Sequence, residues 1–311
     1  MKRYDILVAG EINPDLILSD PGLSVGFGQR EALVEGFALT VGSSSAIFAC
    51  GAARLGLRVG FVGVVGDDLF GRFMLDALRG RGVDVTPVIV DTASRTGLSV
   101  ILARGIDRAI LTYPGAIAAL RAGQVGDELL AEARHLHVAS YFLQTGLQPG
   151  LGELFRRAHR LGLSTSLDTN WDPSGRWSGL GDLLGQVDVF LPNQNEALAI
   201  ARTDTLEEAL VRLGSRSRIV AVKRGEQGAA AFSGVEAISA ETPAVTVVDT
   251  VGAGDTFDAG FLYGYLSEWS LEKSLALGCA CGALSTEAAG GIDGQPTLAQ
   301  AAGRWRWSEP A

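Results

Sequence analysis

The chain has 311 residues, 47% of them hydrophobic, a formal net charge of −9 and three cysteines. That is enough apolar material for a substantial core, and no apolar run is long enough to span a bilayer. Lysine occurs only at 2, 223 and 273 and the arginines are scattered, so there is no basic stripe for nucleic acid. The odd cysteine count (Cys50, Cys279, Cys281) gives no disulfide framework, and the three histidines do not cluster with them as a zinc site would. The first residues run straight into a strand with no signal-peptide core. A cytoplasmic protein with neither nucleic-acid nor membrane partners is expected.

In chain order, a strand over Tyr4–Gly10 leads into Gly10-Glu11-Ile12-Asn13-Pro14-Asp15. An amide and a carboxylate two residues apart can hold neighbouring hydroxyls of a polyol, and the same residues also read as a turn. Residues 13–40 show little helical period. Gly42-Ser43-Ser44-Ser45 then opens a helix over Ser44–Leu55, its serines offering either hydroxyls for a ligand or an N-cap. A strand (Val59–Val65) and a helix (Asp68–Arg81) follow. Residues 86–113 read as consecutive strands, Thr86–Val90, Gly97–Ala103 and Ala109–Tyr113, with a turn at Gly105-Ile106-Asp107. Such insertions predict a small β layer over one sheet edge, on which Arg95 and Arg108 are either solvated or reach a ligand.

Strands at His135–Ser140, Leu163–Asp168, Val187–Pro192, Arg218–Lys223 and Ala244–Val248 alternate with helices at Leu151–Leu161, Asn193–Ala201, Leu206–Leu213, Ala259–Ser267 and Leu271–Ala288. This rhythm predicts an α/β fold with a mostly parallel central sheet covered on both faces, a three-layer α/β/α arrangement in one domain over 1–311. Open sheets of this kind bind ligands beyond the carboxyl ends of their strands. The polar motifs fall at such ends: Asp168-Thr169-Asn170, Asn193-Gln194-Asn195-Glu196 and Lys223-Arg224-Gly225-Glu226-Gln227-Gly228. Asn193 and Glu196 share a face at a helix start, where they can order Mg²⁺ through waters or form a capping box. Lys223 reads equally as a charge for phosphates or as a strand-end lysine reaching for solvent.

Residues 249–257, Asp-Thr-Val-Gly-Ala-Gly-Asp-Thr-Phe, are the most informative run. An apolar β-type segment, a glycine turn and a helix start are fused in it. The amides of Gly252, Ala253, Gly254 and Asp255 would lie at a helix N-terminus, where unpaired N–H groups and the helix dipole favour an anion. A carboxylate beside an anion hole repels the anion, so Asp255 makes sense as a general base for an attacking hydroxyl. A lone Asp here would read as a cap.

This run resembles the signature of the ribokinase-like (PfkB) carbohydrate kinase family. The resemblance implies ATP-dependent phosphorylation of a hydroxyl on a sugar or sugar-like molecule. In its terms Asp255 is the base, Gly252, Ala253 and Gly254 form the anion hole, and the insertions at about 13–40 and 86–113 form a lid over the sugar. It further implies substrate contacts from Asn13, Asp15, Gly42 and Ser43, and nucleotide contacts from Lys223, Gly225, Gly228 and Asn193. Asp168 and Asn170 fall near the phosphates and the metal's water shell. Glu196 holds Mg²⁺ through water, and Asp249 helps bind a monovalent cation such as K⁺. The loop Gly290–Thr297 lies near the adenine site, and a homodimer through the lid is expected. The chain departs from the pattern in four places: Ser43 replaces the second Gly, Ile47 replaces an Asn that contacts substrate, Asp172 replaces an Arg, and Lys223-Arg224 replaces a hydroxyl residue and Leu. A nucleoside kinase of the same fold and a non-catalytic sugar or nucleotide sensor are the alternatives. No Gly-x-Gly-x-x-Gly follows the first strand and no Gly-Lys-Ser/Thr occurs, which disfavours a dinucleotide dehydrogenase and a P-loop NTPase.

Overall fold

A computed structural model describes residues 2–104, 107–235 and 237–304. Its strands are β1 Tyr4–Ala9, β2 Pro14–Ser19, β3 Gly36–Val41, β4 Val59–Val62, β5 Val64–Gly66, β6 Ile89–Asp91, β7 Leu98–Arg104, β8 Asp107–Tyr113, β9 Ala133–Val138, β10 Ser164–Leu167, β11 Val189–Phe190, β12 Ile219–Lys223, β13 Ala229–Phe232 and β14 Ala237–Ala240. Its α-helices are α1 Ser44–Arg54, α2 Leu69–Gly80, α3 Asp127–Ala131, α4 Gln148–Arg160, α5 Gln194–Ala201, α6 Leu206–Gly214, α7 Ala253–Leu266, α8 Leu271–Ser285 and α9 Leu298–Arg304.

Eight strands form the central sheet in the order β14-β13-β12-β11-β10-β9-β1-β4. Every pairing is parallel except β12–β13 and β13–β14. Strand alternation sorts the core into two layers. Ile6, Val8, Val189, Leu191 and Ala221 face one cluster, with α1, α2, α7 and α8, whereas Leu7, Ala9, Phe190, Val220 and Val222 face the other, with α4 and α6. The near-continuous apolar strands follow from burial on both faces.

A second sheet, β3-β2-β7-β8, is built from the two insertions. β2 pairs antiparallel with β3 and parallel with β7, and β7 pairs antiparallel with β8. Three expectations need correction. Thr86–Val90 does not join this sheet: the strand there is β6, paired parallel with β5. Ala244–Val248 belongs to no ladder; Val248 N–H is satisfied instead by the Thr286 carbonyl at 2.7 Å. Helix α8, expected to run from Leu271 to Ala288, stops at Ser285. The expected turn at Gly105-Ile106 and the tail from Trp305 lie outside the described residues.

Cys50 on α1 and Cys279 and Cys281 on α8 are buried, and burial pushes each thiol up to about 12.

Candidate active site

The site is assembled at the carboxyl ends of β1, β10, β11 and β12, where the first turns of α1 and α7 meet. α7 begins at Ala253, earlier than its apolar period suggests, so the glycine run is the helix start itself. Its N-cap, Gly252, is left-handed at φ 73°. A Cβ there would stand 2.8 Å from the Gly291 carbonyl and from Ile47 Cγ2, so glycine is required on two counts. The N–H groups of Gly252, Gly254 and Asp255 have no acceptor among the described residues, as first-turn amides must. Ala253 differs from expectation: its N–H turns back to the Thr250 carbonyl at 3.3 Å. The open cradle is therefore Gly252, Gly254 and Asp255.

Asp255 is 8% exposed. Burial, reinforced by the Asp168 carboxylate, pushes its pKa up to about 8, against the pull of Lys223 and the Ser44 hydroxyl. Beneath the cradle lies Lys223, whose Nζ is 3.7 Å from where a Gly254 side chain would begin. It is not a solvent-seeking lysine. Nζ donates to Asp168 Oδ2 at 2.8 Å and to both oxygens of Asp258 at 3.0 and 3.1 Å. Burial disfavours its charge, but the two carboxylates win and raise its pKa. Burial likewise opposes ionisation of Asp168, yet the Lys223 ammonium holds it below the ordinary range, while Asp258 is driven upward by burial. Asp258 is the second carboxylate held by that ammonium. It was missed from sequence, although a second carboxylate one turn after Asp255 on an otherwise apolar helix was a readable signal.

Asn193 and Glu196 do form the capping box: Glu196 N–H donates to Asn193 Oδ1 at 3.0 Å and Asn193 N–H to Glu196 Oε2 at 2.8 Å. Glu196 is buried, and burial with Asp168 nearby raises its pKa to about 7. Its Oε1 has no hydrogen bond among the described residues and is free to meet a hydrated cation. Among those residues no group of three or more His, Cys, Asp or Glu could hold a metal ion. A single carboxylate fits an ion carried chiefly by phosphates and water. Gly225 and Gly228 make the β12–β13 turn, beside Asn193, which bridges to Lys223.

Strands of the second sheet deliver the other wall. Asp15 on β2 sits between Thr40 and Ser99 in register. Asn13 Nδ2 reaches Ser99 Oγ at 3.5 Å. Burial raises Asp15 to about 6, offset by the Arg108 guanidinium and worsened by Glu11. Arg95 is exposed and shows no such coupling to the site. Gly42 touches Asp15, where a Cβ would fall 2.1 Å from Oδ1. Ser43 is the N-cap of α1: its Oγ accepts from Ala46 N–H at 3.1 Å and donates to the Glu11 carbonyl at 2.6 Å. Its φ of 69° is the left-handed conformation that explains a Gly at this place in the signature. Glu11, also missed, takes hydrogen bonds from Ser45 N–H and Ser45 Oγ. Ile47 is buried against Gly252 and Gly291, supporting the cradle from below.

Asp249 holds two loops together. It accepts from Val251 N–H at 3.0 Å and Gly290 N–H at 2.9 Å. Gln295 adds a second tie, donating to the Ile47 carbonyl at 2.8 Å and to Thr256 Oγ1 at 3.2 Å. The loop Gly290–Thr297 therefore abuts the cradle. Asn170 is held by Asp168 and by Ser140, its N–H donating to Asp168 Oδ1 at 3.1 Å and its Nδ2 to Ser140 Oγ at 2.8 Å.

Residues 3–298 match the model of the pfkB family carbohydrate kinases. The chain belongs to this family. It is an ATP-dependent carbohydrate kinase, transferring phosphate to a hydroxyl. It is 28% identical to the probable fructokinase-5 of Arabidopsis thaliana, over 95% of both chains. It is 33% identical to the 2-dehydro-3-deoxygluconokinase of Bacillus subtilis, over 80% of this chain and 81% of that one. An E. coli protein assigned as a ribokinase II, solved with ATP and Mg²⁺, superposes with a TM-score of 0.86 at 25% identity, covering 96% of this chain and 98% of its own.

Proposed function

We propose that this kinase phosphorylates an uncharged hydroxyl-bearing sugar, with Asp255 as general base and the Gly252, Gly254 and Asp255 amides as the cradle for the phosphoryl group in flight. The observation that supports this reading is the presence of a buried carboxylate and three open amides on one helical turn. The attacking hydroxyl gives its proton to an Asp255 oxygen as its own oxygen bonds to the γ-phosphorus of ATP. The bond from that phosphorus to the β–γ bridging oxygen breaks, and ADP leaves. Lys223 sets the positive potential under the cradle. Most of the acceleration is positioning and electrostatics, and the base supplies about a hundred- to ten-thousandfold. Mg²⁺, when bound, neutralises phosphate charge; Glu196 is the residue that would order its waters. Asn193, Gly225 and Gly228 line the nucleotide side. Asp249, tying its loop to Gly290, would help shape a K⁺ site. The lid sheet closes over the sugar and dimerises through its exposed face, within a single domain working in the cytoplasm.

The substrate wall carries Glu11, Asp15 and Asp255 against the single cation Arg108, an acidic balance that disfavours a phosphorylated acceptor. A phosphorylation screen over pentoses, hexoses, sugar acids, inositols, sugar phosphates and nucleosides tests this: turnover is expected with unphosphorylated sugars, and nucleosides as the preferred acceptors would overturn it. Asp255→Asn should abolish turnover while sparing ATP binding; turnover within about tenfold of wild type would defeat the base assignment.

A further inference from the structure

α7 runs from the cradle toward the amino ends of the central strands, and a cavity lies at its far end. About 410 Å³ in volume, it is lined by Lys2, Arg134, Arg218, Ser164, Tyr265 and Glu268, among others. The lining carries three cations and one carboxylate, with Asp5 pairing to Arg134 from just outside it. Lys2 and Arg134 are anchored: Lys2 Nζ donates to the Ala131 carbonyl at 2.6 Å, and Arg134 donates to the Leu266 carbonyl at 2.8 Å and to Asp5 at 3.4 Å. Arg218 is exposed and has no ion pair among the described residues.

From this cavity a chain of side-chain hydrogen bonds enters the core. Ser164 Oγ meets His135 Nδ1, His135 Nε2 meets Ser166 Oγ, and Ser166 Oγ meets His137 Nδ1, each at 2.7 Å. The chain ends at His137 Nε2, which is buried with no partner. His137 feels both Asp168 and Lys223, the pair beneath the cradle. Burial lowers both imidazoles to about 3, so they stay neutral and each carries one N–H. Ser166 is fully buried and its one hydrogen needs an acceptor, so it donates to one imidazole and accepts from the other, which leaves the chain two polarities. When Ser164 donates to His135 Nδ1, His135 donates from Nε2 to Ser166, Ser166 donates to His137 Nδ1, and His137 presents an N–H at its free end. When Ser164 donates outward, every bond reverses and His137 presents a lone pair there.

We propose that the cavity binds a phosphate monoester bearing hydroxyls, and that its phosphate, by accepting the Ser164 hydrogen, reverses the Ser164–His135–Ser166–His137 chain and so changes the pole facing the Asp168–Lys223 pair. Arg218, Arg134 and Lys2 meet the phosphate, and Glu268 accepts from the ligand's hydroxyls. The site rests on the cavity and the chain, and is independent of the sugar the kinase accepts.

The test exploits the histidine count of three. Enzyme with ¹⁵N-labelled histidine is filled with a non-hydrolysable ATP analogue and Mg²⁺, so that the cradle is occupied, and titrated with inorganic phosphate. Imidazole ¹⁵N shifts report which nitrogen carries the proton. The expected result is that the protonated nitrogen exchanges in His135 and His137, while His159, on the last turn of α4 and bonded to Asp188, stays unchanged. Arg218→Ala should weaken the response about tenfold, as the loss of one charge-assisted hydrogen bond does. Ser164→Ala should still bind phosphate by calorimetry yet leave His137 unmoved. No exchange in the wild type, an unweakened response in Arg218→Ala, or a His137 response that survives in Ser164→Ala would each overturn the proposal.

Discussion

Gly42 and Asp15 are packed so closely that a methyl group on Gly42 would stand 2.1 Å from the Asp15 carboxylate oxygen. Asp15 cannot keep its place if the glycine gains a side chain. Gly42→Ala should therefore raise KM for the sugar by about a hundredfold, a displaced contact of this kind being worth that much. KM for ATP should change little. Steady-state kinetics with each substrate varied in turn checks this; equal losses for both substrates would point to general damage.

The buried carboxylates give the enzyme opposite pH responses in activity and stability. Asp255 must be ionised to accept a proton, so with a pKa of about 8 its kcat/KM should rise as pH increases through that value. Stability runs the other way. Asp15, Glu196 and Asp255 stand at about 6, 7 and 8 in the folded protein, each above its unfolded value. The native state thus binds more protons, and stability falls as pH rises from about 4 to about 8. Asp255→Asn removes one such charge. Its Tm should exceed wild type by about 2–4 °C or more at pH 8.5 and converge with it at pH 5, where the wild-type carboxyl is already neutral. Thermal scans at the two pH values decide it.

Lys223 neutralises a pair of buried carboxylates, so its removal costs more than its hydrogen bonds. Lys223→Met should destabilise the fold by about 3–5 kcal/mol by leaving Asp168 and Asp258 uncompensated. Adding Asp258→Leu should recover part of that loss, because one of the two stranded carboxyls goes with it. A double-mutant cycle by urea denaturation measures the coupling, and strictly additive losses would contradict the cluster.

Ser43 separates backbone strain from capping. Ser43→Ala keeps the left-handed φ of 69° and loses the cap to Ala46, and should cost about 1–2 kcal/mol. Ser43→Gly loses the same cap but relieves strain of about 1 kcal/mol or more, and should be close to neutral. Chemical denaturation of the two variants side by side provides the check.

The central sheet was legible because its strands are buried on both faces and read as apolar runs between helices. β13 and β14 were not: Ala229-Ala-Ala-Phe232 has none of the β-branched residues that mark a strand, and only pairing with β12 makes it one. Ala244–Val248 had the composition of a strand and no neighbour to pair with. In the site, Asp255 and the glycine run were visible because they are contiguous. The clamp on Lys223 was not, because its partners lie 55 and 35 residues away in sequence, and single-sequence spacing carries no trace of such contacts. The capping role of Asn193 and Glu196 and their place beside Lys223 turned out to be compatible readings, since one carboxylate oxygen serves the cap and leaves the other over.

The three deeply enclosed thiols make the enzyme its own reporter of transient opening. With protonation locked in by their surroundings, Cys50, Cys279 and Cys281 will resist iodoacetamide while the layer of α1 and α8 remains docked. Alkylation rates, followed by mass, would then clock how often that layer lifts away, without a label or an engineered probe.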